Sequence, residues 1–566
     1  VNISRSNTDP TIRRSALGSL ALLRYAPLVA AMAVAAVLIL SNLDNMYLWV
    51  DESYTAMLSL NVLRFGYPLA WDGRYVISVV NGLDLDSNYT VISHGWLPYY
   101  PVALAYLLLG ASTFAGRLAM ALFGLAAVPA TYLLALRVSK NRSVANSTVL
   151  LLVLFVPFLL YSRQARYYPM VMFGAALFLA AYLSLLETER GRPWRGYWLL
   201  YVAAGVWNFQ SHYAALFGLV PAIAVHLLIF GRRSYGSRYV ISASMAIAAA
   251  AGLWLVFAPP WGYVGLQSEG RSFARAASNA AHYLSQINDY YFPLLFVPLL
   301  GLLLVRRAGR RLALSSGYTL CILVIGSMVA FLAFSSPSVY LRYLAATVPL
   351  YPLLMAGIAE RLRAWRPAAA WAVLALFVLS NVWNILPWLG VRAAAAVLPA
   401  ELPFVRALRD TAANNLVLRS WLAEYAYEIT HDYDGPTEGI VTYLGRYAEP
   451  DDTVLTTYDW DSIAFYTGLR IINYYNRDDA AGAATWRSPY EADWVIPRKY
   501  WPPDTFGYML GQPMADEAFW KHVEARYEKI VLPYPDIPWE NDPQMWYHKF
   551  RTIENEDRVV IYKKPN

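Results

Sequence analysis

Cysteine is almost missing from this chain. Cys321 stands alone among 566 residues, inside an apolar run, so no disulfide framework within the chain is expected. Charge is scarce as well: 15% of residues are charged, against roughly 25% in soluble domains, while 58% are hydrophobic. That balance excludes an ordinary soluble domain and points to a membrane protein. No Walker phosphate loop, zinc-peptidase helix motif or Gly-x-Ser-x-Gly elbow is found, which removes three rival chemistries. The net charge of +7 comes from 46 basic and 39 acidic residues. The basic ones gather in short loops between apolar segments, as topology signals do, so no nucleic-acid partner is expected. No cleavable signal peptide is expected either, because residues 1–22 are polar and basic and the run after them is long enough to span. Val1 in first position fits a prokaryotic reading frame with an alternative start, or a trimmed terminus.

What the chain does contain is a succession of apolar runs. Spans are expected at 23–43, 116–137, 145–161, 167–187, 196–209, 211–230, 238–258, 291–306, 313–335, 338–358 and 369–391. The run at 99–112 is short for a crossing. If it does not cross, the basic turns "RVSKNRS", "RGRPWRG", "GRRSYGSR", "RRAGRR" and "RLRAWR" all fall on one face, as does the N-terminal segment with Arg13, Arg14 and Arg24. The positive-inside bias makes that face cytoplasmic. We therefore read 99–112 as a juxtamembrane or re-entrant helix, with the N-terminus in and the C-terminus out. The same choice places "VDES", "ISHGWLP", "YSRQARYY", "FQSHY" and "SSPSVYLRY" together on the opposite, extracytoplasmic face.

After about residue 392 the long apolar runs stop, and acidic residues, Pro and Trp rise. "GIVTYLGRYAEPDDTVLTT" and "DSIAFYTGLRIIN" each read as a helix leading into a strand, and "ADWVIPRKY", "KIVLPY" and "RVVIYKK" supply further strands. The expected architecture is a polytopic α-helical membrane protein of about 11–13 transmembrane helices with a C-terminal extracytoplasmic α/β domain. Residues 1–22 form a cytoplasmic segment, 23–391 the membrane domain with a first outer loop at 44–115, and 392–566 the soluble domain. An integral location in the plasma (inner) membrane of a prokaryote is expected.

The candidate chemistry sits on the outer face. Asp51 and Glu52 stand side by side after the first span, where a carboxylate could take a proton from an attacking hydroxyl or orient a metal. The bland alternative, a polar helix exit, is open for either residue alone. Arg163 and Arg166, at this spacing, lie on one face of a helix, beside Tyr161, Tyr167 and Tyr168. Outer-face arginines run against the positive-inside bias, and a phosphate, bound bidentately by guanidinium, supplies a reason for them. His212 lies between two spans at a depth where polar groups are costly. Arg342 with Tyr343, and His94 with its aromatic neighbours, read equally as site groups or as interfacial anchors.

In these motifs the chain resembles the GT-C glycosyltransferases, in the branch of the dolichyl-phosphate-mannose protein mannosyltransferases and the lipid A aminoarabinose transferases. The resemblance covers roughly residues 20–360. It rests on the Asp-Glu pair, a His-x-x-x-Pro-type start to an apolar segment, "GRLAMALFGLAAVPATYLLALRV", "YSRQARYYPMVMFGAALFLAAYLSL" and "SHYAALFGLVPAI". It implies transfer of a hexosyl or pentosyl unit from a polyprenyl-phosphate carrier to a glycan, lipid or protein acceptor outside the membrane, with inversion. In that picture Asp51 matches the catalytic carboxylate and Glu52 its partner. Arg163, Arg166, His212 and Arg342 match positions near the carrier phosphate, with His94, Tyr167 and Tyr343 lining the site. No cofactor is required by the sequence, and a divalent metal ion stays open. Relatives usually show His-Pro-Pro-Leu where this chain has His94-Gly95-Trp96-Leu97-Pro98, which leaves the role of His94 in question. The absent Trp-Trp-Asp signature argues against en bloc glycan transfer to Asn. A lipid-linked glycan transporter or flippase, or a non-catalytic membrane assembly protein, is the competing reading; a transporter predicts charges at mid-span depth, where this chain has few.

Overall fold

The computed structural model describes residues 25–565, apart from 72, 74, 79–81, 83, 233, 261–271, 295, 297–314, 337–338, 400–404, 407–408, 411, 414–415, 473–487, 499–516, 538–539, 544–547 and 549–556. Most of the span expected at 291–306, the turn "RRAGRR" and the N-terminal arginines lie outside the described residues. Five helices are long and apolar enough to cross a bilayer singly: Thr113–Ser139, Tyr168–Leu186, Tyr213–Gly231, Ser237–Phe257 and Ser316–Ser335. Their bounds follow the sequence-based spans closely.

Three further spans expected as continuous helices are broken. Arg142–Leu152 and Val156–Ser162 meet at 63°, Leu341–Thr347 and Leu350–Arg363 at 56°, and Pro367–Leu379 and Val382–Ala396 at 86°. Counting each bent pair once brings the total to eight. Proline accounts for two of the breaks: Pro157 opens the second helix of the first pair, and Pro349 caps the second helix of the next. Proline has no N–H to continue a helical ladder and disfavours helical geometry in the residue before it. In the third pair the polar Ser380-Asn381 step interrupts the run, with Asn381 hydrogen-bonded to the backbone of Val417 and Arg419. The last apolar helix runs past residue 392, to Ala396. Tyr99–Leu109 has only 11 residues, too short to span, in keeping with its reading as a juxtamembrane helix.

Tyr168–Leu186 is almost wholly buried and forms the centre of the membrane core, whereas Ser237–Phe257 lies at the rim. A small α/β unit follows with all five expected strands: β1 Thr453–Thr456, β2 Arg470–Ile471, β3 Trp494–Ile496, β4 Glu528–Pro535 and β5 Arg558–Lys563. Their order is β2-β1-β3-β5-β4, parallel around β1 and antiparallel through β3-β5-β4.

This domain is not a loosely tethered cap. Tyr54, Leu58, Val62, Ile77 and Tyr99 of the first outer loop share one apolar core with Ile440, Leu444, Ile463, Trp494 and Ile561. Burying each such side chain fully contributes about 1.5–3 kcal/mol, enough in sum to fix the domain against the loop. Polar contacts then set the register: Ser462 Oγ donates to the Leu48 carbonyl at 2.7 Å, and Tyr75 Oη donates to Asp461 at 3.1 Å.

Candidate active site

The site is built around the first turn of the helix Val50–Phe65, which we label α1. Trp49 precedes it in extended geometry, and Asp51 and Glu52 occupy its first turn, where the helix dipole favours anions. Successive helical residues are about 100° apart, so the two carboxylates diverge. Asp51 keeps 18% of its side chain exposed; Glu52 keeps none.

Glu52 is committed elsewhere. It accepts two hydrogen bonds from Arg117, Nε to Oε1 at 2.9 Å and Nη2 to Oε2 at 2.8 Å. It also accepts from the Ala165 amide at 2.7 Å and from Asn541 Nδ2 at 3.3 Å. Arg117 in turn donates to the carbonyls of Leu43, Met46 and Tyr47. The pair stitches the loop before α1 to the start of Thr113–Ser139. Glu52 is thus a buried tie with its oxygens taken up, and of the adjacent pair only Asp51 keeps part of its side chain exposed.

Asp51 faces three groups. Tyr168 Oη donates to its Oδ2 at 3.3 Å, Arg342 Nε lies 3.6 Å away and Arg166 Nε 4.0 Å. Thr55, one helical turn on and therefore on the same face, accepts from Arg166 Nη1 at 3.0 Å. Arg166 also lies over the rings of Tyr54 and Tyr167. Arg342 lies over Trp49, Tyr340 and Tyr343, and its Nη1 binds Asp542 Oδ2 at 2.8 Å. Both Nε atoms are buried, and neither has a hydrogen-bond acceptor among the described residues.

Arg163 departs from the expectation. The argument that placed it beside Arg166 assumed a helix, yet the chain leaves helical geometry at Ser162 and resumes it at Tyr168. Across that irregular step the two side chains separate. Arg163 donates instead to the carbonyls of Ile39, Ser41 and Asn42 at 2.6–2.8 Å, satisfying the open end of Ala26–Leu40. Its guanidinium is a helix cap rather than a partner of Asp51.

His212 stands at the break between Arg195–Ser211 and Tyr213–His226, stacked on Tyr167 at 4.3 Å and beside Tyr343 at 5.8 Å. His94 lies 6.3 Å from His212, ring to ring, with its nitrogens hydrogen-bonded to Ser93 Oγ and Tyr99 Oη. Burial, then the charge of Arg166 and the neighbouring His212, hold His94 well below the usual imidazole range, so it stands neutral. The His94-Gly95-Trp96 sequence has a local reason. A Cβ on Gly95 would fall 2.1 Å from the Gln210 carbonyl oxygen, and Leu97 donates its amide to that same oxygen. The loop thus docks backbone to backbone on the helix end that precedes His212.

Asp51, Arg166, His212, Arg342, His94, Tyr167 and Tyr343 therefore meet in one place, while Glu52 and Arg163 brace it from behind. Sequence reading missed Arg117, Thr55 and, from the C-terminal domain, Asn541 and Asp542. Arg117 carried a signal, as an arginine buried in the first turns of an apolar helix. Asp542, hundreds of residues away in an acidic loop, carried none. Among the described residues no three His, Cys, Asp or Glu side chains converge to hold a metal ion. The cations beside Asp51 are the protein's own guanidiniums.

No protein-family model and no curated protein matches the chain. Solved structures do. ArnT from Cupriavidus metallidurans in the apo state superposes with a TM-score of 0.58 at 16% identity, covering 95% of this chain and 99% of that one. ArnT from the same organism bound to undecaprenyl phosphate gives 0.56 at 15% identity, covering 96% and 100%. The archaeal oligosaccharyltransferase AglB from Archaeoglobus fulgidus reaches 0.45 at 11% identity, over 92% of this chain and 74% of its own. Across nearly its whole length the chain has the same fold as these ArnT structures.

Proposed function

We propose that this protein is a membrane glycosyltransferase that moves a sugar from a polyprenyl-phosphate carrier to an acceptor hydroxyl or amine on the extracytoplasmic face. The observation that carries this reading is the pair of buried arginine Nε donors, Arg166 and Arg342, set on either side of Asp51 and lacking acceptors among the described residues. A phosphate oxygen is the acceptor such donors suit, since charge-assisted hydrogen bonds to guanidinium are the strong ones. The fold likeness to an ArnT structure bound to undecaprenyl phosphate supports the same carrier class. The outward orientation rests on the basic loops, which the positive-inside bias assigns to the cytoplasmic side.

The reaction is a single displacement with inversion. Asp51 accepts the acceptor's proton as its oxygen or nitrogen attacks the anomeric carbon. The bond from that carbon to the phosphate oxygen breaks, its electron pair staying on the phosphate. Arg166 and Arg342 meet the charge that develops there, and being fixed in advance they need not reorganise to do so. The rings of Tyr167, His212 and Tyr343 wall the space beside them and limit water.

The test is transfer by the purified protein in nanodiscs, supplied with a panel of undecaprenyl-phosphate-linked hexoses and pentoses and a membrane extract as acceptor. Release of undecaprenyl phosphate with one donor, lost in Asp51→Asn, is the expected result. Movement of intact donor across the bilayer without release would assign a flippase instead.

A further inference from the structure

Among the described residues, the C-terminal domain reaches the arginines of the membrane site through the segment Glu540-Asn541-Asp542. Each side chain there is buried. Asn541 donates to Glu52, its carbonyl accepts from Gln164 Nε2, and Gln164 Oε1 in turn accepts from Trp49 Nε1. His548 holds the Asp542 carbonyl at 2.9 Å and the Glu428 carboxylate at 2.5 Å, pinning the segment from behind. Asp542 Oδ2 then meets Arg342 Nη1, so Arg342 is shared between two carboxylates, Asp542 on one edge and Asp51 on the other.

That arrangement is costly to leave without a purpose. A site built only to bind phosphate gains nothing from a second carboxylate on one of its two arginines. With Asp51, Asp542, Arg166 and Arg342 all ionised, the four groups cancel. The proposed reaction changes the charge on its carrier: the donor is a phosphodiester with one negative charge, and the spent carrier is a monoester with about −1.5 to −2 at pH 7. A purely cationic pocket would hold the product harder than the substrate.

We propose that Asp542, carried by the C-terminal domain, sets the selectivity of Arg342 between donor and product, weakening the hold on the spent carrier phosphate so that it leaves. The inference rests on the polyprenyl-phosphate reading above. A fixed anion at this position repels a doubly charged phosphate about twice as strongly as a singly charged one. Through Asp542 the docked soluble domain takes part in turnover, although it approaches the membrane site only at its edge.

The experiment compares wild type with Asp542→Asn, nearly the same size and still able to accept from Arg342, using two probes: undecaprenyl phosphate and its methyl phosphodiester. Affinities are measured in nanodiscs near neutral pH, with the thermal unfolding midpoint as a check on folding. Asp542→Ser, which also removes the charge, stands in if the first variant unfolds. The expected result is tighter binding of undecaprenyl phosphate by about fivefold, with the diester tightened only by about the square root of that factor, about twofold. In turnover assays the Michaelis constant for donor stays near wild type while kcat falls. A merely structural tie predicts that both probes weaken together, and that outcome, or an unchanged ratio, overturns the inference. Wild type that binds neither probe overturns the carrier reading and this inference with it, whereas binding of both with an unchanged ratio in the variant removes this inference alone.

Discussion

Adjacent carboxylates on α1 should give opposite phenotypes. In Asp51→Asn the lost groups are one 3.3 Å hydrogen bond from Tyr168 and two guanidiniums at 3.6 and 4.0 Å, around a side chain that still sees solvent. Asparagine keeps the size and an oxygen acceptor, so folding should change little. Removing a general base, however, costs transfer about 10²–10⁴-fold. In Glu52→Gln the loss is of a different kind. Arg117 remains fully buried after its charge partner is gone, and its carbonyl contacts are dipoles that do not replace a carboxylate. Breaking one side of a buried ion pair costs about 3–5 kcal/mol. Every 1.4 kcal/mol is about a factor of ten, so the folded-to-unfolded ratio should drop by roughly two to three and a half orders of magnitude. The assay pairs thermal unfolding in detergent with sugar release per folded molecule. Glu52→Gln should unfold far earlier, yet its surviving folded fraction should retain a larger share of transfer than Asp51→Asn. If Glu52→Gln melts with wild type and is as inactive as Asp51→Asn, the division of labour drawn here is wrong.

Arg166→Ala and Arg342→Ala should each weaken undecaprenyl phosphate binding by about 1.5–3 kcal/mol, the worth of a hydrogen bond to a charged group, as read by titration in nanodiscs. Arg163→Ala should instead lower the unfolding temperature while folded protein keeps its carrier affinity, because its contacts are helix-end carbonyls. Gly95→Ala must push the His94 loop off Gln210; loss of transfer with the melting temperature little changed is expected, and full activity would show that the loop docking is not needed. The segment Glu540-Asn541-Asp542 should also loosen as pH rises. Burial and then the Asp459 charge push Glu540 up to about 7, with Arg498, Tyr433 and Thr437 opposing, so the folded state holds a proton the unfolded chain releases above about 4.5. His548, whose charge burial opposes but the Glu428 carboxylate favours, is raised, so its contribution is full below about 6.5 and lost as pH passes its folded value. The protection factor over residues 540–543, the intrinsic exchange rate at each pH divided by the observed rate, should therefore fall from pH about 5 to 8; a flat or rising protection factor would refute the assignment.

The amino-acid sequence by itself determined the membrane class, most of the span limits, the five strands of the C-terminal domain and the gathering of polar groups at one end of the bundle. Those features follow from local patterns: apolar run length, alternation along strands, and basic loops. It did not determine which of two neighbouring polar residues faces the site. Asp51 and Glu52 look equivalent as letters, and only the helical twist of α1 sends one toward Arg342 and the other toward Arg117. Arg163 and Arg166 look paired at helical spacing, and only the irregular step between Ser162 and Tyr168 parts them. Asp542 reaches Arg342 across a sequence separation of 200 residues, through a docking surface shared by the first outer loop and the sheet. Local propensity carries no record of such a contact, because it is made by packing between elements that each form for their own reasons.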